Sequence, residues 1–191
     1  MKDVLISIQP KWCELIASGK KTVEVRKTKP KIDTPFKCYI YCTLSGSNEF
    51  FKEDCNSDIA EWNKSKMALK KGKVIGEFVC DRAEYVRNYG DMVDSYDCIA
   101  SCLSAHEIIE YAKDKNGNFV YTYGWHISDL VIYDKPKELS EFYTLCYSGC
   151  SNCDYLSESY SYAGGRELFC TVSNKKPIIR PPQSWCYVEQ I

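Results

Sequence analysis

The sequence predicts an α+β domain, a curled sheet flanked by short helices, on three observations. Short runs of β-branched and aromatic residues recur along the chain, while only two stretches carry a helical pattern with caps. The 15 tyrosines are a surplus that favours strands and stacking surfaces. Two glycines, Gly72 and Gly76, fall in one strand-like run, where they permit a bulge or a tight barrel corner.

Taken in order, Val4 to Ile8 reads as a buried strand that enters a helix at Pro10, a residue suited to the first helical position. The helix runs to about Ser18 with Trp12, Leu15 and Ile16 as its apolar stripe, and Gly19 sits where a left-handed cap is expected. Thr22 to Arg26 then alternates branched and charged residues, which predicts a half-exposed strand with Glu24 and Arg26 on one face. Residues 27–35, rich in Lys and Pro, read as an extended loop before an aromatic strand over Phe36 to Cys42.

Residues 45–72 are polar and carry at most a modest helix around 59–69, and Gly72 to Cys80 returns to strand. Ser104 with Glu107 three positions on is a capping-box pattern, so 105–113 reads as a helix that stops before the Asn116-Gly117 turn. Tyr121 to Tyr133 holds a candidate strand pair, and Gln183 to Ile191 a closing strand. Residues 81–102 give no firm pattern, and there is no internal repeat.

The totals restrict function. A chain of 191 residues fits one domain, 1–191, with an irregular excursion over 143–182. No apolar run reaches membrane-spanning length, and the start MKDVLISIQPKW does not read as a signal peptide, so a cytoplasmic location without membrane partners is expected. A formal charge of -1 provides no global attraction to polyanions; nucleic-acid binding must come from a local patch. In a reducing compartment the 12 cysteines stay thiols or bind metal. Cys13, Cys38, Cys42, Cys80 and Cys186 lie in apolar patterns and read as small hydrophobes.

Residues Gly19, Lys21, Glu24 and Arg26 form G-x-K-x-x-E-x-R directly after a helix. This motif resembles, position for position, the signature of the ASCH family. The segments SIQPKWCELIASG, YGWHISDLVIYDKPKELSEF and PPQSWCYVE also resemble phage- and prophage-encoded ASCH proteins. The resemblance covers 1–142 and 183–191. It implies a PUA-like fold, a small mixed β-barrel flanked by helices, into which the Cys-rich stretch 143–182 reads as an insertion before the last strand. It also implies a cleft where the motif side chains converge, and RNA or a nucleotide-like ligand as the partner.

The residue chemistry suits such a cleft. Lys21 supplies a point charge, Arg26 a planar fork, and Glu24 can orient that fork or accept from a base amino group. Left to the residues alone, the same three charges read rather as a solvated strand face with weak ion pairs. Lys20, Lys27, Lys29, Lys31 and Lys37 extend the basic surface, and Tyr39 or Tyr41 are candidate stacking platforms. Trp125 and His126 read either as cleft residues, stacking a base and exchanging a proton, or as core.

The resemblance also raises an enzyme, an N4-acetylcytidine amidohydrolase or a ribonuclease, in which Lys21 and Glu24 are catalytic. In the amidohydrolases of the family the motif lysine works with a threonine at the position of Glu24 and with a later glutamate. This chain keeps Lys21 and lacks that threonine; Thr22 falls on the opposite face, and Glu107 or Glu110 stands for the later carboxylate. Finally, Cys146, Cys150, Cys153 and Cys170 supply four thiols where core-forming pattern is weakest, which suits either a structural zinc or free cysteines. The cleft itself calls for no cofactor.

Overall fold

The computed structural model describes residues 3–44, 70–86, 88–89, 92–144, 156–160, 166–170 and 177–190. In chain order its elements are β1 (Asp3–Ile8), α1 (Pro10–Ala17), β2 (Val23–Arg26), β3 (Phe36–Cys42), β4 (Val74–Cys80) and β5 (Ala83–Tyr85). Next come β6 (Asn88–Tyr89), β7 (Met92–Val93), α2 (Ser95–Ser101), α3 (Ala105–Tyr111), β8 (Tyr123–His126) and β9 (Ser128–Lys137). After a single 3-10 turn at Leu139–Glu141 follow β10 (Phe142–Thr144), β11 (Leu156–Tyr160), β12 (Arg166–Cys170) and β13 (Trp185–Gln190).

A six-stranded sheet in the order β10-β13-β1-β3-β4-β9 forms the body, and a three-stranded sheet β2-β8-β5 lies beside it. β1 is parallel to β3 and antiparallel to β13. Parallel neighbours need a long crossover, and this one carries α1 and then β2, which leaves the main sheet to join the smaller one. The motif is therefore delivered to the seam between the two sheets. β1 is apolar without alternation because both its faces are covered. Val4, Ile6 and Ile8 pack with Cys13, Ile16, Phe78 and Trp125, while Leu5 packs on the other side with Tyr39, Phe142 and Val188.

The main sheet curls into a half-barrel, the PUA-like architecture expected from the resemblance. Part of the curl is localised at Gly76. The register between β4 and β9 shifts on both sides of it, and a Cβ there would stand 2.4 Å from the Val131 carbonyl oxygen. Only a glycine admits so close an approach of the two backbones.

The run 121–133 divides between the two sheets rather than forming a hairpin. β8 ends at His126, Ile127 donates its N–H to Thr22 O (2.8 Å), and β9 continues in the main sheet. Ile127 thus ties the start of β2 to the strand junction. The capping box is present: Ser104 Oγ accepts from Glu107 N, and Glu107 returns to Ser104 N at 2.8 Å. The sequence-silent stretch 81–102 holds β5 and α2, and α2 starts at Asp94, whose carboxylate accepts from Tyr96 N at 2.8 Å.

Several expectations fall outside the described residues: the helix at 59–69, and Cys146, Cys150 and Cys153 of the candidate zinc set. Cys170 ends β12, but its side chain is also outside them. Among the described residues no cluster of His, Cys, Asp or Glu could hold a metal ion. Among them too, no helix is long and apolar enough to cross a membrane.

Candidate functional site: a buried Lys–Glu–Arg cluster in the seam

The backbone at the foot of α1 sets the geometry. Gly19 takes φ 72°, and Lys21 N–H folds back to Leu15 O at 3.0 Å, which turns the chain off the helix and into β2. The side chain of Lys21 then meets the end of α2. Its Nζ donates to Ser101 O at 2.7 Å, and Thr22 N donates to Ala100 O at 2.8 Å. The last carbonyls of a helix have no intrahelical partner and carry partial negative charge, so a cation and an N–H satisfy them.

Glu24 joins the two cations. Lys21 Nζ lies 3.3 Å from Glu24 Oε2, and an Arg26 terminal nitrogen lies 2.9 Å from Glu24 Oε1. The same Arg26 nitrogen, NH2, donates to Ser7 O at 2.6 Å, and NH1 reaches Ser184 Oγ at 3.4 Å. Arg26 Nε is buried and finds no partner among the described residues. All three residues are buried, with 2%, 6% and 9% of their surface exposed. The strand expected to be half-exposed is thus covered on both faces. Its charged face looks across to the end of β1, and Val25 on the other face packs with Val86 and Ile108.

The cluster lines a cavity of about 680 Å³. Trp12 and Gln9 from α1 and its cap, Tyr41 and Thr43 from the end of β3, and Leu103, Glu107 and Tyr111 from α3 and its approach form the walls. The Pro181-Pro182-Gln183 run closes one side. That run is pinned to β1, because Ser7 Oγ donates to Pro182 O at 2.6 Å and Ser7 N to Ser184 O at 2.9 Å. The Lys21 ammonium sits 5.0 Å from the Trp12 ring centroid, within cation–π range.

Carboxylate chemistry differs between the two later candidates. Glu107 lines the cavity. The Ser104 backbone N–H, and secondarily its hydroxyl, hold the Glu107 carboxyl below the usual range against a smaller opposing effect of burial. Glu110 is instead ion-paired with Lys113.

Other expected site residues are placed elsewhere. Trp125 pairs with Glu24 across the strands, so the two share a face, but it is fully buried between Phe36 (5.8 Å) and Trp185 (5.9 Å) and does not line the cavity. His126, one residue on, points the opposite way. It lines a smaller cavity of about 350 Å³ with Arg82, Asp94 and Tyr96, and its Nδ1 lies 2.6 Å from Asp81 Oδ1. Of the two tyrosines, Tyr41 reaches the main cavity, while Tyr39 is buried against Phe142 with its hydroxyl donating to Asp3. None of Lys20, Lys27, Lys29, Lys31 and Lys37 lines it.

Sequence reasoning missed the acceptors Ser7 O and Ser101 O, because backbone carbonyls leave no trace in residue type. Trp12, read as part of the apolar stripe of α1, packs against the core and also reaches the cavity. The fully buried members of α1 are Pro10, Cys13 and Ile16, which leaves Trp12 for the cavity wall.

A curled mixed sheet with a buried Lys–Glu–Arg cluster at the foot of its first helix defines a protein of the PUA-like class. The chain belongs to the ASCH domain family, whose sequence model matches residues 6–127. Among solved structures it is similar to an ASCH protein of Zymomonas mobilis, with a TM-score of 0.52 at 16% identity over 98% of this chain and 87% of that one. A serine-to-alanine mutant of the Zymomonas mobilis protein gives the same TM-score, 0.52, at 15% identity over 98% and 88% of the two chains. Among curated proteins none matches significantly.

Proposed function

We propose that the chain binds RNA or a modified nucleobase in the cavity built on Lys21, Glu24 and Arg26. The observation that carries this reading is the ion-paired cluster of Lys21, Glu24 and Arg26 on the wall of that cavity. The guanidinium fork is fixed by Ser7 O and Glu24 before any ligand arrives, and a preorganised donor loses little entropy on binding.

The cavity volume of about 680 Å³ falls in the range of small-molecule sites, roughly 300–1,000 Å³. The cations Lys21 and Arg26 face the carboxylates Glu24 and Glu107 on the cavity wall, a mix of donors and acceptors that suits a base edge. Trp12 and Tyr111 offer ring faces on the walls, and Glu24 retains lone pairs for an exocyclic amino group. PUA-like folds are associated with RNA binding, which supports the same class of ligand. A cytoplasmic location, kinship with phage- and prophage-encoded members, and a structural zinc on Cys146, Cys150, Cys153 and Cys170 complete the proposal.

The test is a titration with short single-stranded RNA at two salt concentrations. Each phosphate contact adds about -0.7 to the slope of log affinity against log salt, and Arg26→Lys, which keeps charge but loses the fork, weakens binding by about 1.5–3 kcal/mol. Salt-independent affinity shared by both proteins overturns the reading.

One observation favours a second reading, hydrolysis of a modified nucleoside such as N4-acetylcytidine or cleavage of RNA. Glu107 shares the cavity with Lys21, as the later carboxylate of such a mechanism must. Against it, Glu24 replaces the threonine, and Lys21 is occupied as a donor to Ser101 O and Glu24. Turnover of N4-acetylcytidine or RNA by wild type, lost in Lys21→Ala and in Glu107→Gln, establishes the enzyme; no turnover by wild type removes it.

A further inference from the structure

Beside the cavity lies a group of exposed tyrosines that the cluster does not use. The register of the three-stranded sheet opposes Arg26 to Tyr123, and Tyr123 to Tyr85. Directly opposed residues of antiparallel strands put their side chains on the same face. The row therefore leads from the guanidinium on the cavity wall to the outer strand of the small sheet in two strand spacings, about 10 Å.

At its outer end the rings gather. Tyr85 lies 4.7 Å from Tyr123, tilted by 33°, and 5.4 Å from Tyr121. Tyr85 is 58% and Tyr121 78% exposed. Large aromatic side chains clustered in water at this level mark an interaction surface more often than isolated ones do. The loop that follows Arg26 carries Lys27, Lys29 and Lys31 against one acid, Asp33. Lys29 Nζ stands 5.6 Å over the Tyr123 ring. Lys27 Nζ stands 5.3 Å over Tyr111, which itself lines the cavity.

Ring faces interleaved with ammonium groups, on the same strand face as the Arg26 guanidinium, match what single-stranded nucleic acid needs: platforms for successive bases and charges along the backbone. An acidic peptide would use the lysines, but its carboxylates lack the extended aromatic face that a nucleobase lays on a tyrosine ring.

We infer that Tyr123, Tyr85 and Tyr121 form a stacking platform for unpaired nucleotides flanking the one held in the cavity, so that the ligand is a single-stranded oligonucleotide rather than a free base. The inference rests on the cavity reading, and the experiment separates the two. AMP and a short oligoadenylate RNA are titrated against wild type, Tyr85→Ala, Tyr121→Ala and the corresponding phenylalanine variants, each checked for folding by circular dichroism. Wild type binds the oligoadenylate at least about tenfold more tightly than AMP, each alanine variant loses about tenfold on the oligomer alone, and the phenylalanine variants retain the gain. Because Tyr121 is 78% exposed, its variant remains informative even where Tyr85→Ala fails to fold. AMP bound with no gain for the oligomer, or alanine variants equal to wild type, overturns the platform alone and leaves the surface to a protein partner. Absence of AMP binding in wild type overturns the cavity reading, and the platform with it.

Discussion

Glu24 is the residue on which the site turns, since each of its oxygens holds one of the two buried cations. Glu24→Gln keeps the shape and removes the charge, leaving Lys21 and Arg26 buried without an anion between them. Breaking a buried pair from one side costs about 3–5 kcal/mol, so urea denaturation of Glu24→Gln shows an unfolding free energy lowered by that amount. A loss under about 1 kcal/mol contradicts the picture of a desolvated cluster. The cations were legible as a motif because their spacing after a helix is distinctive. Their burial was not legible, because alternating charged and branched residues is also the pattern of a strand half in water. What tips the balance is tertiary: Ser7 O and Ser101 O, far away in sequence, wait as acceptors.

At the scale of elements, α3 carries Glu107, Leu103 at its approach and Tyr111 to the cavity, and its start is held by a reciprocal cap. Ser104→Ala removes the acceptor for Glu107 N and costs about 0.5–2 kcal/mol of stability. The pH dependence follows from the other half of the cap, the Ser104 backbone N–H on the Glu107 carboxylate. The folded carboxyl of Glu107 titrates below its unfolded value because Ser104 N–H donates to it, so its contribution is complete above the unfolded pKa, about 4.3, and fades as pH falls through the lower folded value. Stability of wild type minus that of Glu107→Gln, measured between pH 7 and pH 3, is therefore constant near neutrality and shrinks below about pH 4.3. A difference that grows in acid has the wrong sign for this account.

Elements with strong local signals were readable from the chain: Pro10 and Gly19 bracket α1, and Ser104 with Glu107 announces α3. The division of 121–133 between two sheets was not, since strand pattern says nothing of which neighbour a strand chooses. Nor was the 81–102 stretch, where β5 and α2 are too short to show a period and Asp94 is the only capping signal.

Over the whole molecule, the curl of the main sheet and the crossover that sends β2 aside act together to open the seam. Gly76 lies at the tightest backbone approach of that curl. Gly76→Ala puts a methyl group 2.4 Å from Val131 O, and the adjustment costs about 1–3 kcal/mol. Chemical denaturation reads the loss, and an unchanged midpoint shows that the curl does not depend on the glycine. The glycines of the Gly72–Cys80 run hinted at such a corner in the sequence, but the mate that makes Gly76 necessary lies on β9, beyond the reach of local pattern.

The most direct trial of the central claim is a crystal structure of the protein soaked with a mononucleotide. Density for the phosphate or a base edge in the cavity, within hydrogen-bond distance of a Lys21, Glu24 or Arg26 side chain, is the expected result. Density only outside the seam contradicts the assignment of this cluster as the ligand site.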